Sequence, residues 1–194
     1  MRLTFLGTRG EVKEKSKFHQ NHSAVLLETH GKKILLDFGE TWRGKFKLFK
    51  PDFIWLSHAH PDHSFGLKSE RVEVPVFMTK ATDERLPKDK FPFLDRRVVA
   101  GSFKLGPAAA EEIPVTHSTK APMSGLIIQT DEGKIGYFPD VLSIPNREQV
   151  LSGLKIYIGD GSSLTRDIVR RIDGKPVGHA SAARQMAWCQ EAGG

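Results

Sequence analysis

Apolar residues along this chain come in short runs rather than long stripes, and most runs have the length and composition of strands. Residues 2–6 form the first, ended by Gly7. Residues 24–28 and 33–37 flank Thr29-His30-Gly31-Lys32, a pattern that predicts a hairpin. Residues 53–56, behind Pro51, predict a buried strand, and residues 74–78 follow as another. Residues 125–130 and 134–138 flank Asp131-Glu132-Gly133 and predict a second hairpin, with 154–158 as a further buried strand. Three helices are predicted. One spans 146–151. One spans 163–172, where Leu164, Ile168 and Ile172 recur every four residues and Gly174 stops the run. The third spans 181–191, with Ser181 as N-cap and Gly193 past its end. Strands with interspersed helices predict an α/β (α+β) class in one domain, 1–194.

Composition adds exclusions. A chain of 194 residues with 39% hydrophobic and 27% charged residues is expected to bury a core. Cys189 is the single cysteine, so no intrachain disulfide can form and a reducing, cytoplasmic setting is expected. The opening residues lack the apolar core and cleavage site of a secretory leader, and no run approaches the roughly 18 apolar residues of a membrane helix. No membrane partner is therefore expected. The net charge is +6, and its distribution is uneven. Residues 1–50 hold 11 basic and 5 acidic residues, whereas residues 51–194 hold 18 of each. Such an excess fits an anionic substrate, a nucleic-acid end, or a solubility charge alone.

The chemistry is concentrated at residues 57–66, Ser-His-Ala-His-Pro-Asp-His-Ser-Phe-Gly. His58 and His60 are two apart, so an extended backbone points them to the same side, and Asp62 and His63 follow in a turn or helix start. Imidazole and carboxylate donors suit Zn²⁺, Fe or Mn²⁺, and three histidines with an aspartate in six residues are hard to obtain by accident.

This segment resembles the H-x-H-x-D-H motif of the metallo-β-lactamase superfamily. The resemblance implies a four-layer αββα sandwich of two mixed β-sheets flanked by helices. It also implies two divalent metal ions, one held by His58 and His60 and the other by Asp62 and His63. Further along, His117 in Pro-Val-Thr-His-Ser is similar to the third histidine of the first metal. Asp140 in Gly-Tyr-Phe-Pro-Asp-Val resembles the aspartate that bridges both metals, and Asp37 a conserved aspartate beside the site that is not a ligand. Residues 3–8, 37–41, 159–162 and 178–181 resemble the ribonuclease Z and phosphodiesterase branch. By that resemblance Asp160 would orient His179, and His179 would stabilise developing charge or protonate the leaving oxygen. Asp160 stands where that branch has glutamate. A metal-bridging hydroxide would attack, with Asp62 as proton acceptor or shuttle.

The branch supplies a last histidine to the second metal after the helix that follows His179, and this sequence reaches Gly194 without it. The second metal is therefore expected to bind weakly or in part. Arg9, His19 and His22, in the loop 8–22 that borders the site in that branch, are candidate substrate contacts, weighed against an ordinary surface loop. Trp42, Phe46 and Phe49, interleaved with basic residues, read better as the core face of an amphipathic helix than as a stacking surface. Three functions stay open: a phosphodiesterase acting on a nucleotide or nucleic-acid phosphodiester, a hydrolase of a lactone, thioester or lactam, and a degenerate one-metal or non-catalytic member. The long tRNA-gripping arm of ribonuclease Z has no counterpart here. Partners expected are a small anionic substrate or a nucleic-acid end, with a homodimer possible.

Overall fold

In the computed structural model, which describes residues 1–193, the apolar runs at 24–29 and 53–56 build strands buried on both faces, while the first run, 2–7, is only half-buried. Strands β1 (Arg2–Gly7), β2 (Ala24–Thr29), β3 (Lys32–Leu36), β4 (Phe53–Leu56), β5 (Pro75–Thr79) and β6 (Asp95–Val99) form one sheet in sequence order. The β1–β2 and β2–β3 pairings are antiparallel and the rest parallel, so the sheet is mixed. His30 and Gly31, both at positive φ, make the two-residue turn between β2 and β3. A second mixed sheet has the order β11 (Leu154–Ile158), β10 (Gly133–Tyr137), β9 (Met123–Thr130), β8 (Ala108–Val115) and β7 (Ser102–Leu105). Only its β10–β11 pairing is parallel.

Alternation along each strand sorts side chains into layers. Val25, Leu27, Ile34, Leu36 and Trp55 point toward the second sheet, where they meet Leu126, Ile128, Ile135 and Tyr137. The alternate residues Ala24, Leu26, Leu35, Ile54 and Leu56 form the outer core of the first sheet with Phe38, Trp42, Phe46 and Leu67. On the far side, Phe138, Val141, Ile144 and Leu151 pack with Trp188. The outer layers are thin. Helices α1 (Pro61–Ser64) and α2 (Lys80–Asp83) are single turns, α3 (Arg147–Leu151) is little longer, and among the described residues only α4 (Ala182–Glu191) is extended. Ser181 caps α4, its hydroxyl accepting from the Arg184 N–H.

Three features depart from the sequence reading. Residues 163–172 do not form a helix. Ile168–Ile172 is a strand, β12, paired antiparallel with β13 (Lys175–His179). Asp173 and Gly174 take positive φ between them, so the turn chemistry prevails over the four-residue apolar spacing. The aromatic segment at 40–50 is two 3₁₀ turns, Glu40–Trp42 and Phe46–Leu48, rather than one helix. Its aromatics do enter the core: Phe38 stacks on Trp42 and meets Phe46 and Phe49 edge-on. Strands β6, β7 and β8 carry no strand signal in the sequence. They are polar or alanine-rich and take their conformation from the strands beside them.

Candidate metal centre

The chemistry-bearing residues stand on the segments that leave strands of both sheets. Strand β4 delivers Ser57, His58 and His60 directly. His60 is the N-cap of α1 and Pro61 its first residue, a position that suits proline, so Asp62 and His63 are turned back toward His58. His117 follows β8 and Asp140 follows β10. His179 ends β13.

These groups converge. The donor atoms of His58, His60, His117 and Asp140 all lie within 4.8 Å of one another. The Asp140 Oδ2 atom is 3.3 Å from His58 Nε2, 3.3 Å from His63 Nε2 and 3.5 Å from His117 Nε2. His60 turns Nδ1 inward, 3.0 Å from His58 Nε2 and 3.5 Å from His117 Nε2. Asp62 Oδ2 is 3.4 Å from His63 Nε2. The structure thus brings together every residue that the sequence motif and its resemblance single out as metal ligands.

Which nitrogen faces inward is fixed from behind. Asp37 is fully buried at φ 56° and collects four donors. Ser57 N–H reaches its Oδ1 at 2.7 Å, while Ser57 Oγ, His63 Nδ1 and Tyr137 Oη lie 2.7, 2.7 and 2.9 Å from Oδ2. With Nδ1 donating to Asp37, His63 presents Nε2 to Asp62 and Asp140. Ser57 Oγ, 3.0 Å from His58 Nδ1, sets His58 in the same way. His117 Nδ1 donates to the Gly178 carbonyl at 3.1 Å, and the Gly178 N–H returns a bond to the His117 carbonyl at 2.8 Å. Such outer contacts set the tautomer and basicity of imidazole ligands. Of these outer residues, Ser57 and Tyr137 were not picked out from the sequence. Ser57 lies within the quoted motif, but nothing local marks Tyr137.

The electrostatics fit a cation. Burial, with His58 and His117 beside His60 and with His58 and His179 beside His117, pushes both imidazoles down to about 4, so both are neutral at pH 7 with lone pairs free. Burial would lower His63 too, but the Asp140 and Asp37 carboxylates outweigh it and hold His63 well above the ordinary value. Burial would raise Asp140, and His63 and His58 outweigh that and hold it well below the usual range. Positive charge is therefore favoured among these carboxylates, and among the described residues their ion-pair partners are histidines alone. Neutral nitrogens and carboxylate oxygens at this spacing suit a divalent cation replacing the proton on His63 Nε2.

A second group, Asp140, Asp160 and His179, shares Asp140 with the first. His179 Nδ1 is 2.6 Å from Asp160 Oδ2 and 3.9 Å from Asp140 Oδ1. Burial lowers His179, but the Asp160 hydrogen bond outweighs it and raises the imidazole above its ordinary value. Asp160 is itself held by the Val141 and Ser162 N–H groups at 3.0 and 2.8 Å. Gln185 of α4 clamps the Asp160 backbone, accepting from its N–H and donating to its carbonyl, both at 2.9 Å. The sequence signal for Gln185 was a polar residue on the buried face of a helix, where its amide must find partners.

The loop residues separate. Arg9 is buried, and its guanidinium donates to the carbonyls of Gln20 and Val12, so it shapes the loop from within. His19 is exposed, with Nδ1 2.7 Å from Thr8 Oγ1. His22 is buried beside the site, and its Nδ1 has no partner among the described residues. Gly39 fills the gap between them: a Cβ there would lie 2.4 Å from His22 Cβ and 2.1 Å from the Asp62 carbonyl oxygen.

Comparison with known proteins agrees with this geometry. The family model described as "Beta-lactamase superfamily domain" matches residues 32–194. A stretch of 70 residues is 41% identical to ribonuclease Z of Bradyrhizobium diazoefficiens, covering 34% of this chain and 22% of that protein. Ribonuclease Z of Clostridioides difficile matches to the same extent. The matched stretch thus spans under a quarter of the length of these curated relatives. Among solved structures, the metallo-beta-lactamase fold protein YhfI of Bacillus subtilis superposes with a TM-score of 0.74 at 16% identity, over 98% of this chain and 81% of that one. A diphosphatase of the PhnP family gives 0.72 at 21%, over 98% and 82%. The short form of human tRNase Z gives 0.65 at 17%, over 98% and 88%. At these identities the superpositions establish the fold alone.

Proposed function

The chain belongs to the beta-lactamase superfamily, and on that premise we propose that it is a metal-dependent hydrolase of phosphodiesters in nucleotides or nucleic acid. The observation that carries this reading is the Asp160–His179 pair, 2.6 Å apart and sharing Asp140 with the histidine cluster. Zinc is the cation we assign, because the donors are imidazole nitrogens and carboxylate oxygens. His58, His60, His117 and Asp140 would hold one ion, and Asp62, His63 and Asp140 a second. A cation in such a site supplies Lewis acidity toward a phosphoryl oxygen and lowers the pKa of a nearby water.

The residues of the chain do the rest. Asp62, at the edge of the cluster, accepts the proton of the attacking water through a carboxylate oxygen. His179, whose imidazole the Asp160 hydrogen bond raises above its ordinary value, would face the anionic phosphoryl group and give a proton to the leaving oxygen. Asp160, held by its backbone donors, keeps the imidazole in place. The lone Cys189 fits a reducing compartment such as the cytoplasm.

The test is a comparison of substrates on zinc-loaded protein. Bis(p-nitrophenyl) phosphate should turn over, and a lactone and nitrocefin should not. His179→Ala should lower kcat on the phosphodiester by about 10²–10⁴-fold while metal content is unchanged. Turnover of the lactone or lactam alone would overturn the reading, and protein that takes up no zinc would point to a degenerate member.

A further inference from the structure

The excess positive charge of the first fifty residues has no role in the site itself. Eight of those basic residues fall in the segments 9–21 and 40–50, against three acidic ones, which accounts for most of the net +6. The fold places these two segments side by side. Thr41 Oγ1 accepts from the His22 N–H at 2.8 Å, the Trp42 indole donates to the His22 carbonyl at 2.8 Å, and the Gly39 N–H reaches the Ser23 carbonyl at 3.0 Å. Between the segments lies an open cleft of about 590 Å³ lined by Lys15, Ser16, Lys17, Gln20, Asn21 and Thr41.

The charges on this surface are free to bind. Lys13, Lys15, Lys17, Lys45 and Lys47 are exposed. Among the described residues the lysine ion pairs lie elsewhere, at Lys32, Lys33, Lys80 and Lys155. Of the acidic residues, Glu40 is taken up by Arg43 at 2.9 Å, while Glu11 and Glu14 sit at the start of the loop. Lys45 lies over the Trp42 ring at 5.4 Å, which ties it to the His22 end of the cleft. The surface also carries an uncovered aromatic: Phe18 is 81% exposed, with Lys17 Nζ 5.8 Å from its ring centre. A large apolar ring held out in water beside unpaired lysines is the combination that stacks a base and neutralises its phosphates.

The surface leads to the metal centre. A Cβ on Gly10, at the base of the loop, would lie 3.7 Å from Asp62 Oδ2. Resting on the phosphodiesterase reading, we propose that the loop 10–21 and the segment 41–50 bind a single-stranded polynucleotide. Lys15, Lys17 and Lys45 would hold its phosphates and Phe18 would stack one of its bases. The strand then runs past Gly10 to place one phosphodiester at Asp62 and His179. Duplex is excluded as the preferred ligand, because its bases are already stacked on one another and cannot take Phe18 as a partner.

The experiment uses the zinc-loaded full chain and a fluorescein-labelled oligodeoxythymidylate of about a dozen residues, followed by anisotropy. Binding should weaken with salt, by about 0.7 in log K per decade of salt for each phosphate neutralised. Lys15→Glu with Lys17→Glu should weaken binding at least tenfold and flatten that slope, and Phe18→Ala should weaken it about tenfold with the slope unchanged. The ratio of kcat/KM for the oligomer to that for bis(p-nitrophenyl) phosphate should fall in the same variants. Equal binding by wild type and all variants would overturn the proposal. So would tighter binding to anionic phospholipid vesicles than to the oligomer, or equal affinity for duplex of the same length. Lysine-dependent binding without hydrolysis of the small diester would leave the surface standing and overturn the phosphodiesterase reading instead.

Discussion

Asp37 shows how much one side chain decides. It is buried and left-handed, with both carboxylate oxygens taken up by hydrogen-bond donors, and it orients His63 directly and His58 through Ser57. Only a residue that tolerates positive φ can stand there, which leaves asparagine as the conservative probe. Asp37→Asn keeps the backbone and the size but removes the charge and gives one side-chain atom the wrong polarity for its donors. Zinc affinity should fall about 10–100-fold, measured by competition with a chelating dye, while the far-ultraviolet circular dichroism stays the same. An unchanged affinity would mean that the histidines need no support from behind. The spacing of the histidine motif was legible in the sequence because those residues are neighbours along the chain. The hydrogen bond from Tyr137 was not, since a hundred residues separate it from Asp37.

At the scale of elements, the β12–β13 hairpin carries the most weight for its size. Its Gly178 exchanges hydrogen bonds with His117 in both directions, and its last residue is His179. Gly178 has φ +136°, and a Cβ there would lie 1.8 Å from the Ile168 carbonyl oxygen. Gly178→Ala must therefore open the hairpin and release His117. Gly174, in the turn, has φ +75° with nothing within 4 Å of a Cβ, so Gly174→Ala meets only the backbone penalty of about 1 kcal/mol. Urea unfolding and zinc titration of the two variants should separate them: near-normal zinc binding for the second, and loss of both stability and zinc for the first. The hairpin was hidden in the sequence because Leu164, Ile168 and Ile172 mimic a helical stripe. Asp173-Gly174 was the signal that should have outweighed it, since a two-residue turn with two positive φ angles fixes strand pairing locally.

At the scale of the whole molecule, two large sheets share a core beside the candidate site, and the proposed ligands come from both. His58, His60, Asp62 and His63 follow β4 of the first sheet, while His117 and Asp140 follow β8 and β10 of the second. A cation held between them ties the sheets together only in the folded state, so it stabilises by mass action, about 2.7 kcal/mol at a hundredfold excess over Kd. Stripping the protein with a chelator should lower its melting temperature by about 5–10 °C, and zinc should restore it. A melting temperature indifferent to chelator would mean that the cluster holds no ion.

The sequence by itself determined what depends on near neighbours. The buried strands announced themselves by apolar runs, the first two hairpins by their turn residues, helix α4 by its cap, and the donor set at residues 58–63 by its spacing. The two-sheet fold followed from the resemblance those residues carried. Only the tertiary structure decided the rest. Strands β6 to β8 exist because adjacent strands supply hydrogen bonds that their own propensities do not predict. His117, Asp140, Asp160 and His179 meet the motif because the packing of two sheets closes distances of many tens of residues along the chain. The basic residues of the first quarter became one surface because His22 stitches two loops together. Local rules fix conformation over a few residues, and convergence belongs to the core that folds them onto one another.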